Sequence, residues 1–256
     1  MKKYKTLDTS KYKRFFAFGC SMTQYAWPTW ADIIAQEIPE SYNYGQSGAG
    51  NLFIASQVTE AHMRHNFTKE DLVMIMWSSV AREDRYVNQN WLTPGNIYTQ
   101  SDYDLRFVRK FADDFGYLLR DINLMTLTKS FLENINIGFY MMHIAPFEVE
   151  SKNRNERKKL ATLYKLYKQT FDSMLPTMLT AGVNGTWPEH PIQCPGGQRS
   201  DYHPSPAQHF RYLKNVFPDT RWKRSTVKYV VRHDRIMKSY RHWDQLNWNE
   251  SPKDRL

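Results

Sequence analysis

The sequence predicts a three-layer α/β domain built on a parallel sheet, and three observations carry that expectation. Short apolar runs at 14–19, 42–44, 72–77 and 135–142 have the length and composition of strands. Helical periodicity fills the chain between them, and loops with glycine or serine follow the first three runs. Strands alternating with helices imply parallel pairing through crossovers that cover both faces of the sheet. A strand covered on both sides has no solvent face, so it reads as continuously apolar.

The first run, Arg-Phe-Phe-Ala-Phe-Gly, ends in Gly19-Cys20-Ser21, a turn that presents a serine. Pro28 marks a first helical turn, and Trp30, Ile33, Ile34 and Ile38 form the apolar face behind it. The 42–44 strand enters Gly45-Gln46-Ser47-Gly48-Ala49-Gly50-Asn51, and a helix over 52–64 follows. The 72–77 run has no polar residue, whereas 81–104 is polar, aromatic and reads as a long irregular excursion. Helical pattern resumes over 105–133 with a break expected near Gly116, ahead of the fourth strand. A helix over 156–179 opens in a basic cluster, and the Gly- and Pro-rich 180–202 reads as loop. Ser205 or Pro206 starts a helix carrying His209, Phe210, Leu213 and Val216. The stretch 221–243 is basic, with Val227, Val230, Val231, Met237 and Tyr240 at helical spacing. The chain divides into a domain at 1–218 and a basic helical extension at 219–256.

Composition narrows the partners. With 256 residues, 41% of them hydrophobic, the chain can bury a sizeable core. Its 35 basic and 26 acidic residues give a charge of +9, a field that favours anionic partners without specifying one. Nucleic-acid binding is not the expected main function. Cys20 and Cys194 are too few for a disulfide framework and form no CxxC pair for zinc. His62 and His65 lie three apart on a helix without an accompanying carboxylate motif, so no metal is expected. The charged start Met1-Lys2-Lys3 lacks an apolar stretch behind it, and no segment approaches a membrane span of roughly 20 apolar residues. Synthesis in the cytoplasm is the expectation.

In open α/β sheets, sites form outside the carboxyl ends of the strands. Ser21, Gly48 and Ser79 each follow a strand and are expected to meet at one edge. A serine hydroxyl becomes a nucleophile only beside a base, and Asp201-Tyr202-His203-Pro204 offers a histidine with an aspartate to orient it. Each residue also has a plain structural reading. Ser21 can be a turn residue, Asp201 a helix cap, His209 a packing histidine, and Cys20 a small buried hydrophobe. Trp77 and Arg82 border the expected site; Arg82 or Arg85 can hold an anionic substrate group or belong to solvated structure.

These blocks resemble the SGNH/GDSL hydrolases, a family with a flavodoxin-like α/β fold. The first block matches Gly19-Cys20-Ser21-Met22-Thr23, with Cys20 where the family has aspartate. The second matches Asn43-Tyr44-Gly45-Gln46-Ser47-Gly48. The third aligns with Trp77-Ser78-Ser79-Val80, where Ser79 stands in for the family's asparagine. The last becomes Asp201-Tyr202-His203, one residue shorter than the family spacing, with Ser200 at the strict aspartate position. The resemblance implies Ser21 as nucleophile, His203 as base and Asp201 as its orienter. It implies an oxyanion hole from Ser21, Gly48 and Ser79, with Asn51 as a spare donor, and no cofactor. The implied substrate is an ester, such as an acetyl group on a carbohydrate. Two alternatives remain open: a carbohydrate O-acyltransferase, and a catalytically decayed glycan-binding or assembly protein, including one built into a viral particle. The basic tail lies beyond the resemblance; it either docks a protein partner or packs on its own domain.

Overall fold

The computed structural model describes residues 6–99, 102–147, 154–193, 199–242 and 245. Along the chain run β1 (Arg14–Gly19), α1 (Trp30–Ala35), β2 (Glu40–Gly45), α2 (Asn51–His65), β3 (Asp71–Trp77), β4 (Arg85–Val87) and β5 (Asn90–Leu92). They are followed by α3 (Leu105–Phe111), α4 (Asp114–Asn134), β6 (Gly138–His143), α5 (Arg154–Leu166), α6 (Lys168–Asp172), α7 (Pro206–Val216) and α8 (Arg224–Met237). Four strands make a parallel sheet in the order β2-β1-β3-β6.

The layers follow from β1. Neighbouring side chains on a strand point to opposite faces. Phe15 meets Trp30 of α1 edge-on, ring centroids 6.3 Å apart. Phe16 packs on His65 at the end of α2 and on Phe67. The two helices therefore cover opposite faces. α7 and α8 pack beside α1, and α4 packs beside α2, which completes three layers. Every residue of β3 is buried, as a strand between two covered faces must be.

Register then sets the position of the site. Gly19 pairs with Gly45 on one side and Met76 on the other, and Trp77 pairs with His143. The strands end at one level, so their exit loops share one edge.

Three sequence expectations change. Residues 81–104 contain the β4–β5 hairpin, turned by Asn88 and Gln89 at φ 49° and 63°, and an Arg82–Asn96 bridge. Two left-handed residues suit a tight hairpin, but with no glycine there the turn left no signal in the sequence. The 105–133 helix breaks at Ala112–Asp113, ahead of Gly116. The cause is Asp113, whose side chain caps α4 by accepting the Gly116 N–H. The 156–179 helix is shorter, because α6 ends at Asp172 and Pro176, which has no N–H to donate, lies just beyond.

The basic tail forms α8 and packs on the domain. Val230 and Met237 are buried, while Val227 and Val231 are exposed. Buried Glu37 accepts hydrogen bonds from the Lys223 N–H at 3.0 Å and from the Thr226 hydroxyl. Asp234 accepts the Ala207 N–H at the start of α7, 3.1 Å. Cys194 and residues 246–256 of the extension lie outside the described residues.

Candidate active site

The loop after β1 turns at once: the N–H groups of Thr23 and Gln24 both donate to the Cys20 carbonyl, at 2.8 and 3.2 Å. The Thr29 hydroxyl and the Asn43 amide clamp the Thr23 carbonyl at 2.6 and 2.9 Å. Close approach demands glycines here, since a Cβ on Gly45 would lie 2.9 Å from the Gln24 nitrogen. Thr29 is also the N-cap of α1, so that helix begins two residues after Pro28. Cys20 is fully buried, in keeping with the small-hydrophobe reading.

Ser21, 7% exposed, tops this turn, and its Oγ lies 2.9 Å from His203 Nε2. His203 Nδ1 lies 3.1 Å from Asp201 Oδ1, which also accepts the His203 backbone N–H at 2.8 Å. The other carboxylate oxygen accepts the Tyr25 hydroxyl. A carboxylate only accepts, so it fixes the proton on Nδ1 and leaves Nε2 free to accept from Ser21. Burial alone would raise the Asp201 carboxyl. Hydrogen bonds from His203 and Tyr25 outweigh burial and hold it below its ordinary value. Ser200 faces Glu189 at 2.7 Å, so the shortened spacing still delivers an aspartate to the histidine. Asp201 is not the cap of α7; that role falls to Ser205, in a reciprocal box with Gln208.

The loop bearing this pair is tied down by residues the sequence reading did not single out. His190 exchanges backbone hydrogen bonds with Asp201 at 2.8 and 2.9 Å, and its Nε2 lies 3.0 Å from the His203 carbonyl. The Trp27 indole donates to the Pro204 carbonyl at 2.8 Å. The Tyr25 ring stacks on His203 with centroids 3.8 Å apart. The run Tyr25-Ala26-Trp27 just after the serine turn was the one trace of this in the sequence. His209 packs in the interior: burial, with a lesser contribution from His203, pushes its imidazole down to about 3.

Gly48 adopts φ +75°, the left-handed region, and a Cβ there would overlap the Thr93 carbonyl oxygen. Its loop is pinned to the β1 exit by the Gln46 N–H on the Gly19 carbonyl, 3.1 Å. The Thr93 hydroxyl, just past β5, supports it through the Ser47 carbonyl at 3.1 Å. Arg82 crosses behind the loop, donating to the Ala49 carbonyl at 2.7 Å and to the Ser79 hydroxyl at 3.2 Å. Asp84 accepts the Gly50 and Phe53 N–H groups at 2.7 and 2.9 Å, capping α2 from a distance.

Two sequence candidates are placed elsewhere. Asn51 is fully buried, and both its amide hydrogens are committed, to the Ser78 carbonyl at 3.1 Å and to Asp121 at 2.8 Å. Its carbonyl accepts the Ser78 N–H at 2.8 Å. It thus joins α2 to the end of β3 and has no amide hydrogen left for a substrate or oxyanion. Trp77 lies wholly in the core, because it continues the buried β3, and cannot form a substrate wall. His62 and His65 also serve structure. His62 Nδ1 accepts the Phe67 N–H at 3.3 Å, and His65 Nε2 meets the Tyr44 hydroxyl at 2.8 Å.

Among the described residues, no cluster of three or more His, Cys, Asp or Glu is arranged to hold a metal, and no helix is long and apolar enough to cross a membrane. No protein-family model matches the sequence, and a search of curated proteins gives no match. Solved structures with a similar fold include a variant of an acetyl xylan esterase from Geobacillus stearothermophilus. It is 17% identical, with 80% of this chain and 96% of that one covered and a TM-score of 0.39. A protein described as an acylhydrolase, from Bacteroides fragilis, is 12% identical over 85% of this chain and 88% of its own, TM-score 0.42. An α/β hydrolase from a metagenome of Lake Arreo, Spain, is 14% identical over 80% and 94%, TM-score 0.42.

Proposed function

We propose that the chain is an ester hydrolase of the SGNH type that works through an acyl-serine intermediate. The observation that carries this reading is the continuous hydrogen-bonded line from Asp201 through His203 to Ser21, at 3.1 and 2.9 Å. Ser21 Oγ attacks the ester carbonyl carbon while its proton passes to His203 Nε2. The negative oxygen that forms is held by backbone N–H groups of Ser21 and Gly48, with the Ser79 hydroxyl as a further donor. Arg82, donating to both the Ala49 carbonyl and Ser79, braces that side of the site. Collapse expels the alcohol, which takes the proton from His203. Water, deprotonated by the same histidine, then attacks acyl-Ser21, frees the acid and restores the serine. The resemblance to the family implies an ester substrate, such as an acetyl group on a carbohydrate.

A fluorophosphonate tests this directly, because a Ser–His pair makes the hydroxyl reactive toward such electrophiles. Wild type should acquire one covalent adduct, on Ser21 by peptide mass mapping, lost in Ser21→Ala and retained in Ser79→Ala. A folded wild-type chain that stays unlabelled would refute the proposal.

A further inference from the structure

We propose that Tyr25 is a positioning residue for the His203–Asp201 pair, acting through its hydroxyl on the carboxylate and through its ring on the imidazole. This rests on the ester-hydrolase reading above and assigns a role to a residue outside the motif blocks.

Two separate contacts carry it. The phenol donates to the Asp201 oxygen that His203 does not use, in a buried setting where Tyr25 is 3% exposed. The ring lies over the imidazole at 3.8 Å and 23° from parallel. Asp201 and His203 lie in a loop, and a two-residue spacing alone does not stop the carboxylate from rotating about its own side-chain bonds. With one oxygen on His203 and the other on Tyr25, both ends are held and rotation is blocked. Tyr25 is held in turn by Trp27, edge-on at 4.7 Å, and Trp27 is fastened to the Pro204 carbonyl. The histidine is therefore enclosed by one short segment, 25–27, which follows the nucleophile in the chain.

The stacking has an electrostatic side as well. During attack His203 becomes an imidazolium, and the negative face of an aromatic ring favours a cation above it. The two contacts of Tyr25 push in opposite directions. The ring stabilises the imidazolium, whereas the hydroxyl, by drawing on the Asp201 charge, weakens the pull of that carboxylate on it. The other titratable groups facing His203 are Ser21 at Nε2, His190 against its carbonyl and His209 behind it.

The test measures the second-order rate of fluorophosphonate labelling of Ser21 against pH in the full chain, in wild type, Tyr25→Phe and Tyr25→Leu. Tyr25→Phe keeps the ring and removes the donor. Labelling should slow about tenfold, the scale of one hydrogen bond to a charged group, and the acid limb of the profile should move to higher pH. Tyr25→Leu removes both contacts. Labelling should slow by about a hundredfold, and the acid limb should lie at lower pH than that of Tyr25→Phe, because the hydroxyl is absent from both variants and only the leucine loses the ring's hold on the cation. A merely structural tyrosine would lower the melting temperature and leave the limbs of the two variants together. Rates within twofold of wild type, a Tyr25→Phe limb that stays in place, or a Tyr25→Leu limb at or above that of Tyr25→Phe would each overturn the proposal. Should Tyr25→Leu fail to fold, the rate and limb of Tyr25→Phe decide alone. A wild type that does not label refutes the hydrolase reading instead.

Discussion

Replacing Asp201 by asparagine separates charge from shape at the candidate site. The new side chain can keep its carbonyl oxygen on the two His203 N–H groups, and its amide can face Tyr25, whose hydroxyl can rotate to accept. The geometry survives while the negative charge is lost. At the observed 3.1 Å, a carboxylate and an imidazolium attract by about 5 kcal/mol at an effective dielectric near 20. The His203 side chain is 25% exposed, so roughly half of that survives screening, about 2.5 kcal/mol. Labelling by a fluorophosphonate at pH 7 should then slow by at least about 60-fold. Stability provides the control. The Asp201 carboxyl is held below its ordinary value, so wild type gains stability above the usual carboxylate range and loses it as pH falls through the folded value. The asparagine variant has no such titration, and urea midpoints of the two chains should converge as the pH is lowered toward 3. An Asp201→Asn chain that labels at the wild-type rate, or whose slower labelling tracks the fraction unfolded, would overturn this account of the pair.

Acid should weaken the fold well above the carboxylate range. Burial pushes His143 down to about 4 and His209 to about 3, so the unfolded chain takes up their protons first. Their contribution should be fully present above pH 6.5 and decline toward pH 4 by up to about 1.4 kcal/mol per unit for each histidine. It is opposed below pH 6 by Asp32 and Asp121, whose carboxyls burial raises to about 6. The histidines titrate first as pH falls, so identical urea midpoints at pH 7 and pH 6 would contradict this. Ending the chain after Asp219 should strip Glu37 of its Lys223 and Thr226 partners and uncover Phe210, which packs on Trp222. Aggregation or a large drop in melting temperature is expected, and a soluble truncation that melts like wild type would refute it.

The sheet was legible because its signal is local. Phe15 to Phe18 and Leu72 to Trp77 are buried on both faces, and that condition writes itself as an unbroken apolar run. The serine turn was legible for a similar reason, since Gly19 and Ser21 adjoin a strand end. What sequence could not show lies in contacts between distant segments. Tyr25 and Asp201 are 176 residues apart, and Trp27 and Pro204 are 177 apart. Each position has a local pattern, the run Tyr25-Ala26-Trp27 or the Asp201-Tyr202-His203-Pro204 block, but nothing in the sequence joins one to the other. Asn51 misled for the opposite reason. An amide beside a glycine loop resembles a ligand donor, but its partners, Ser78 and Asp121, come from the end of β3 and from α4, and only their arrival reveals a clamp.

The proposed nucleophile, Ser21, and its proposed base, His203, are separated by 182 residues of chain, and that interval has a consequence during synthesis. At roughly 5–20 residues per second, Ser21 leaves the ribosome about 10 to 40 s before His203 does. Within that time β1, α1, β2, α2 and β3 are made, yet on this reading the Ser21 hydroxyl still has no base. The proposed base arrives with one late segment, which in the full chain lies against Tyr25 and Trp27. On this reading a chain that ends before His203 carries the serine without its reactivity, and labelling of Ser21 would register the arrival of His203 rather than the presence of the serine.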